Sequence, residues 1–178
     1  MLIAGMTIVA SSQATWGYSE EGAALRVGGL GKVSAQAAAT ADVEASFAEY
    51  TQRPGLITLT LGVVIGVVAL LGWWICVRGA GARRFRTAEW ALSGVIAACS
   101  VAVIVVAARV IADPAGRLFD AVIIEAVDSS GPLLQAGWGV IATLVVAVIA
   151  LALAAGVIVG TTRGAGVHQY PSGSESGE

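Results

Sequence analysis

Long apolar runs separated by short polar stretches dominate this chain of 178 residues. Three of these runs contain no charged residue, at 56–77, 90–108 and 133–162. An α-helix rises about 1.5 Å per residue, so about 20 residues cross the roughly 30 Å hydrocarbon core of a bilayer. Each run is therefore long enough to span a membrane, and the third, which is longer than required, is expected to tilt or project.

The apolar segment at the start of the chain is shorter, and two interpretations of it stay open. Residues 1–16 predict a first transmembrane helix, and a natural start further upstream would explain both its shortness and its lack of Lys or Arg. The alternative is a signal peptide over residues 1–14, because Ser12-Gln13-Ala14 has the small residues of a cleavage site. The missing basic n-region favours the helix.

The pattern as a whole predicts an all-α integral membrane bundle of four transmembrane helices in a single domain, with both termini in the cytoplasm. The predicted helices cover about 1–16, 56–77, 88–111 and 133–162, with outer segments at 17–55 and 112–132, a cytoplasmic loop at 78–87 and a disordered tail at 163–178.

The first outer segment is expected to contain a loop followed by a helix, and the second a short helix. Glycines interrupt the first half of 17–55, where Gly28-Gly29-Leu30-Gly31 is interpreted as a flexible loop, because no strand is expected before it. Lys32 to Arg53 is rich in Ala and free of Gly and Pro, which favours a helix. Asp113-Pro114 has the pattern of an N-cap and a first helical residue, and predicts a short amphipathic helix at the outer surface. One face of that helix would carry Leu118, Phe119, Val122, Ile123 and Ala126.

The orientation follows from four arginines within nine residues, Arg78, Arg83, Arg84 and Arg86. Short loops rich in Lys and Arg stay in the cytoplasm, so we expect this loop to be inside. Tryptophan prefers the level of the lipid headgroups. Five tryptophans fall near the predicted interfaces and are expected to anchor them: Trp16 and Trp138 outside, and Trp73, Trp74 and Trp90 inside.

Composition places the chain in a membrane. Hydrophobic residues make up 57% of it, charged residues only 12%, and the mean hydropathy is +0.83. A soluble domain cannot hide so much apolar surface behind so few charges. We expect a multi-pass protein of the plasma membrane whose partners are the lipid bilayer and other membrane subunits or itself, and not a nucleic acid.

Two GxxxG motifs, Gly62 to Gly66 and Gly156 to Gly160, are the candidate helix-packing positions. Lipid gives apolar helices no hydrophobic reason to associate, so close backbone approach at small residues takes that role. We expect the two motifs to pack against each other within one chain, with a dimer face as the alternative. Gly94 and Ala98 are expected to extend this small-residue surface.

The sequence predicts no catalytic, cofactor-binding or metal-binding residues, and no cofactor. Cys76 and Cys99 lie at different depths in neighbouring apolar runs and are expected to be free thiols. The one histidine, His168, falls in the polar tail. Glu89 and Arg109 border an apolar run and are interpreted as interfacial anchors rather than parts of a proton path.

The layout resembles the actinobacterial tryptophan-operon-associated (Trp biosynthesis-associated) membrane proteins. The resemblance depends on Ala10-Ser11-Ser12-Gln13-Ala14-Thr15-Trp16, on the arginine-rich turn from Arg78 to Arg86, and on Gly137-Trp138-Gly139. It implies four helices, but no activity or catalytic residue, because the family has none established. The segment 17–55 is long for that family, and the first helix is short.

Two classes of function are open at this point. The first is a non-enzymatic accessory or assembly subunit of a membrane complex, acting through its helix faces and outer segments. The second is a small transporter or export component for an apolar or aromatic, tryptophan-related metabolite. Polar residues at the membrane midplane are typical of transporters, and their scarcity in the apolar runs favours the first class.

Overall fold

The computed structural model describes residues 1–19, 25–35, 50–78, 82–120 and 134–165, with the main chain alone at 35, 82–87 and 161–165. The helices are α1 (Leu2–Ser12), α2 (Pro54–Val77), α3 (Ala82–Ala112), α4 (Pro114–Leu118) and α5 (Trp138–Ala165). The strands are β1 (Thr15–Tyr18), β2 (Leu25–Gly28), β3 (Val33–Ala35) and β4 (Gln135–Ala136).

Three helices of the described chain are long and apolar enough to cross a membrane. The spans are Pro54–Val77, Ala88–Ala112 and Trp138–Gly160, with mean hydropathies of 2.4, 2.6 and 2.9. Their apolar residues cover the whole helix circumference, as expected for helices that face lipid on one side and each other on the other. The three predicted spans are confirmed as helices of sufficient length.

The first helix is shorter than predicted. It ends at Ser12, so its 11 residues reach about 16 Å at 1.5 Å per residue. The backbone N–H groups of Gln13 and Ala14 bond to the carbonyls of Ala10 and Ser11, and the chain then enters β1. Thr15, Trp16 and Tyr18 are β-branched or aromatic, which favours a strand over a further helical turn.

The helices form a closed ring of neighbours. Helix α1 packs against α2 and α5, α2 also packs against α3, and α3 also packs against α5. A cluster of buried residues at mid-height joins all four, formed by Ile8, Ile65, Ile96 and Ala154. Side chains of modest size fill this interior, so the helices pack directly on one another.

A four-stranded antiparallel sheet covers one end of the bundle, which corrects the all-α prediction. The strand order is β3-β2-β1-β4, with a bulge in β1 between Thr15 and Gly17. The loop expected at 17–31 therefore holds strands, and the helix expected from Lys32 begins instead as β3. Residues 36–49, the rest of that predicted helix, lie outside the described residues. We call this end of the bundle the sheet end.

The glycine-rich stretch is a hairpin turn between β2 and β3, not a free loop. The Gly31 N–H donates to the Gly28 carbonyl at 3.0 Å, and Gly31 has a φ of +81°, which glycine adopts without strain. Gly29 accepts a hydrogen bond of 2.8 Å from the Gly55 N–H at the start of α2. The turn is therefore fixed against the bundle.

The sheet and the helices share one core. Its buried members are Trp16, Val27, Val33, Ala107, Val110, Leu118, Phe119 and Val140. They come from β1, β2 and β3, from the end of α4 and the residue after it, and from the sheet ends of α3 and α5. The sheet is therefore packed directly on the helices.

Helix boundaries differ from the prediction at several places. Helix α3 begins at Ala82, so Arg83, Arg84 and Arg86 belong to its first turns and not to a loop at 78–87. Helix α5 begins at Trp138, because residues 135–136 pair as β4, and it continues to Ala165, three residues into the predicted tail. Residues 166–178, with His168, lie outside the described residues.

The predicted cap at Asp113 is confirmed. Its Oδ1 accepts a hydrogen bond of 2.9 Å from the Gly116 N–H, and Pro114 opens helix α4. The helix ends at Leu118, and Phe119 is extended and pairs with Thr51 in a short antiparallel bridge. Val122, Ile123 and Ala126, expected on the same helix, lie outside the described residues.

Candidate functional site

A close contact between two helices lies between α1 and α2, at Gly5 and Gly62. A Cβ added to Gly5 would meet backbone atoms, 2.8 Å from the Gly66 nitrogen and 2.9 Å from the Gly62 carbonyl oxygen. A Cβ on Gly62 would lie 2.9 Å from the Ile8 Cγ2. Gly62 therefore lies at a helix contact, where its partner is Gly5 and not the motif of α5.

Gly156 and Gly160 do not pack as predicted, and Gly66 meets α1 only through its main chain, against Gly5. A Cβ at any of the three would meet nothing within 4 Å. The open side of Gly66 points away from α1, whose Gly5 touches only its main chain, and Gly156 and Gly160 are exposed. Gly94 and Ala98 are exposed as well. The expected contact between the two GxxxG motifs is therefore wrong, and the motif of α5 faces outward.

A buried polar contact fixes α1 to α5 near the sheet end. The Ser11 Oγ and the Thr143 Oγ1 lie 2.8 Å apart, and both side chains are buried. The same hydroxyls also lie within bonding distance of the Ile8 and Gly139 carbonyls. Each hydroxyl has one proton, so the three contacts share two donors. Hydroxyl pairs of this kind join helices where no water competes.

Trp16 is a core residue, which corrects its assignment as an interface anchor. Its side chain is fully buried, and its Nε1–H donates to the Ser11 carbonyl at 3.0 Å. The other four tryptophans are exposed, as an anchor must be, with exposed fractions of 44% to 67% for Trp73, Trp74, Trp90 and Trp138. Their depth in a bilayer stays a prediction.

The opposite end of the bundle, where α2 ends at Val77 and α3 begins at Ala82, is called the turn end. The Arg78 guanidinium lies over the Trp74 ring, 3.8 Å from its centroid. A cation over an aromatic face is attracted by the ring quadrupole, so this arginine is held against the end of the span. The side chains of Arg83, Arg84 and Arg86 lie outside the described residues.

An apolar cavity of about 310 Å³ lies at the turn end. Met1, Gly72, Trp73, Leu92, Ser93 and Glu89 are among its lining residues, from α1, α2 and α3. Glu89 is half-buried there. The cavity lies next to the four-residue cluster at mid-height, since Ile96 belongs to both.

A cleft of about 270 Å³ lies at the sheet end, between α2 and α3. Three arginines line it: Arg53 from the N-cap of α2, Arg109 from the last turn of α3, and Arg117 from the last turn of α4. Ile57, Val106 and Val110 form its apolar part. No Asp or Glu lines the cleft among the described residues.

The described residues offer little for covalent or metal chemistry. They contain no group of three or more His, Cys, Asp or Glu that could hold a metal ion. Both cysteines are free, as predicted, with Cys76 exposed and Cys99 half-buried. In the spans, the buried hydroxyls of Thr58 and Thr143 bond to main-chain carbonyls or to Ser11, whereas the Ser100 Oγ has no hydrogen-bond partner.

Comparison of the chain with protein families, with characterised proteins and with solved structures finds no match. The candidate sites therefore depend on the geometry of this chain alone.

Two features were not found by sequence reasoning, Gly5 and the arginine cleft. Gly5 has no glycine three or four residues away, so no motif marks it. The cleft arginines are separated by 56 and by 8 positions along the chain and line one cleft because the start of α2 lies beside the ends of α3 and α4. A signal was present for two of them, because Arg53 and Arg109 each lie at the boundary of an apolar run.

Proposed function

We propose that the chain is a non-enzymatic accessory or assembly subunit of a membrane complex, acting through helix packing and its outer segments. In this proposal α1 is the fourth membrane-embedded helix, the protein is in the plasma membrane with both termini in the cytoplasm, and its partners are other membrane subunits or a second copy. Residues 10–16, 78–86 and 137–139 support membership of the tryptophan-operon-associated membrane proteins.

The observation that carries the proposal is the outward face of α5. Ala152, Gly156 and Gly160 follow at intervals of four, so they share one face, and all three are exposed. A Cβ at either glycine would meet no other element of the described chain within 4 Å. Faces of small residues at this spacing are where membrane helices approach each other closely. This face of α5 is therefore open to another helix.

The packed interior of the bundle also supports the role of an accessory or assembly subunit. Ile8, Ile65 and Ile96 meet at mid-height with Ala154, and all are buried. A transporter of polar solutes places polar groups or broken helices at that level. Here the buried polar side chains are Ser and Thr, and their hydroxyls are suited to joining helices.

The test compares what copurifies with tagged protein from native membranes in a mild detergent. Wild type is expected to retain one stoichiometric membrane partner, or a second copy of itself. Gly156→Leu should lose that partner, because the added side chain fills the groove, yet it should keep the thermal stability of the isolated chain. The matched control is Ala108→Leu, an exposed small residue on α3, which should retain the partner.

The same partner at equal yield with all three proteins would contradict the proposed role of this face. Absence of any stoichiometric partner from wild-type membranes would contradict the subunit proposal itself.

The cavity at the turn end favours one second candidate, a transporter of an apolar or aromatic metabolite. Its volume of about 310 Å³ is at the lower end of ligand pockets, roughly 300–1,000 Å³. Trp73 offers an aromatic face there, and Ser93 a hydroxyl. Uptake of labelled tryptophan and indole into proteoliposomes would test it, with Leu92→Trp, which fills the cavity, expected to abolish uptake. No uptake above empty liposomes would exclude this candidate.

A further inference from the structure

We propose that the cleft between the sheet ends of α2 and α3 binds a phosphate group, supplied by the headgroup of an anionic lipid in the adjacent leaflet. The site is formed by Arg53, Arg109 and Arg117, above an apolar wall of Ile57, Val106 and Val110. This inference is separate from the subunit role, because it concerns α2 and α3 and not the outward face of α5.

Three arginines line one cleft, and this gathering of positive charge needs an explanation. In the sequence, the segments 17–55 and 109–132 together contain nine acidic and five basic residues. Three of those five basic residues line this one cleft, and the described lining residues include no acid. Of the two described acids nearest in sequence to Arg109 and Arg117, Asp113 caps helix α4 through the Gly116 N–H, and the exposed Asp120 is not among the lining residues. Like charges brought together repel, so a bound anion would relieve the repulsion.

Folding, not a flexible loop, brings the three arginines together. Arg53 immediately precedes Pro54, the first residue of α2, and Arg109 lies in the last turn of α3. Arg117 is held by α4, which its capped start and the buried Leu118 fix against the core. The guanidinium group presents donors in a planar fork that matches phosphate oxygens, which makes arginine well suited to phosphate binding.

The depth of the cleft matches a lipid. Arg53 and Arg109 lie at the ends of the apolar spans Pro54–Val77 and Ala88–Ala112, which is the level of the headgroups. Ile57 and Val106 lie about one turn closer to the membrane centre, and Ile57 is 53% exposed. A phosphate at the arginines would therefore leave attached acyl chains against an apolar surface. The volume of about 270 Å³ suits a headgroup rather than a larger ligand.

The test measures binding to the full chain in nanodiscs or detergent. Phosphatidylglycerol, phosphatidylcholine and inorganic phosphate are added separately, and lipid retention is counted by native mass spectrometry while thermal unfolding is followed in parallel. Wild type should retain and be stabilised by phosphatidylglycerol more than by the other two. Arg53→Gln, Arg109→Gln and Arg117→Gln should each weaken binding by about fivefold, the factor that corresponds to one basic residue near an anionic lipid surface.

The matched control is Arg26→Gln, which removes the same charge from an exposed residue of β2 at the same end. It should bind phosphatidylglycerol as wild type does. Equal losses for all four variants would mean a diffuse charge effect and overturn the site. If inorganic phosphate stabilised the protein against thermal unfolding as much as phosphatidylglycerol does, the lipid would be ruled out as the source of the phosphate. Destabilised cleft variants whose folded fraction retains phosphatidylglycerol as wild type does would show that the arginines pair within the chain, and would also overturn the site.

Discussion

A single glycine sets the distance between α1 and α2. Gly5 is buried, and the atoms nearest to its missing Cβ belong to the main chain of Gly62 and Gly66. Backbone atoms within a helix cannot move aside as the end of a side chain can. Gly5 therefore lets the main chain of α1 approach that of α2 directly.

Gly5→Ala is expected to destabilise the protein by about 1–3 kcal/mol, the range for overpacking a filled contact. Its Cβ would lie 2.8 Å from the Gly66 nitrogen, so α1 must shift as a whole. The control is Gly66→Ala, where the added methyl group meets nothing within 4 Å. Thermal unfolding in detergent compares the two. Equal melting temperatures would show that α1 is not held by this contact.

At this scale the sequence identifies which residues permit close approach, but not which residues approach. The GxxxG spacing marked Gly62, which lies at a helix contact. It also marked Gly156 and Gly160, which are exposed, and it missed Gly5, which stands alone in α1. Spacing along one helix carries no information about the neighbouring helix, so the pairing of α1 with α2 had to come from the structure.

At the scale of elements, the hairpin of β2 and β3 is wedged between the start of α2 and the end of α1. Gly29 bonds to Gly55 on one side, and its missing Cβ lies 2.7 Å from two atoms of the Trp16 ring on the other. Trp16 in turn bonds to the Ser11 carbonyl of α1. A turn that looks flexible in the sequence therefore joins α1, α2 and the sheet.

Gly29→Ala is expected to displace the hairpin, because its methyl group would overlap the Trp16 ring and the Ser12 carbonyl oxygen. The adjacent Gly28→Ala is the control, since its Cβ would meet the nearest atoms at 3.6 Å, an ordinary contact. We expect Gly29→Ala to lower the melting temperature and to speed proteolysis of the sheet end relative to Gly28→Ala. Indistinguishable melting and cleavage would mean that the hairpin does not support the bundle.

The helices of the spans were predictable and the strands were not, for a physical reason. A run of about 20 uncharged residues forms an α-helix in lipid, because every backbone N–H and C=O group must find its hydrogen-bond partner within the segment. The strands have two to four residues and pair with partners as distant as Gly17 and Ala136. Such short segments show no clear alternation, and their hydrogen bonds depend on the helices bringing them together. The arginine cleft was missed for the same reason.

On the scale of the whole molecule, the two ends carry equal numbers of Lys and Arg but differ in how densely these residues are spaced along the chain. The sheet end carries Arg26, Lys32, Arg53, Arg109 and Arg117, and the turn end carries Arg78, Arg83, Arg84, Arg86 and Arg163. Four of the latter fall within nine residues between two spans, and short segments next to the spans dominate orientation. Three of the former gather in one cleft, where an anionic lipid would offset their charge.

We therefore expect the turn end in the cytoplasm and the sheet end outside. Single cysteines would be placed at Lys32, which is exposed on the sheet, and at Gly81 in the turn, in a chain with Cys76→Ser and Cys99→Ala. An impermeant thiol reagent should label position 32 in intact cells and position 81 only after the membrane is opened. Replacing Lys32 removes a positive charge from the outer side, so this variant does not weaken the predicted orientation. The reverse labelling would place the arginine turn outside, and the arginine cleft would then face the inner leaflet.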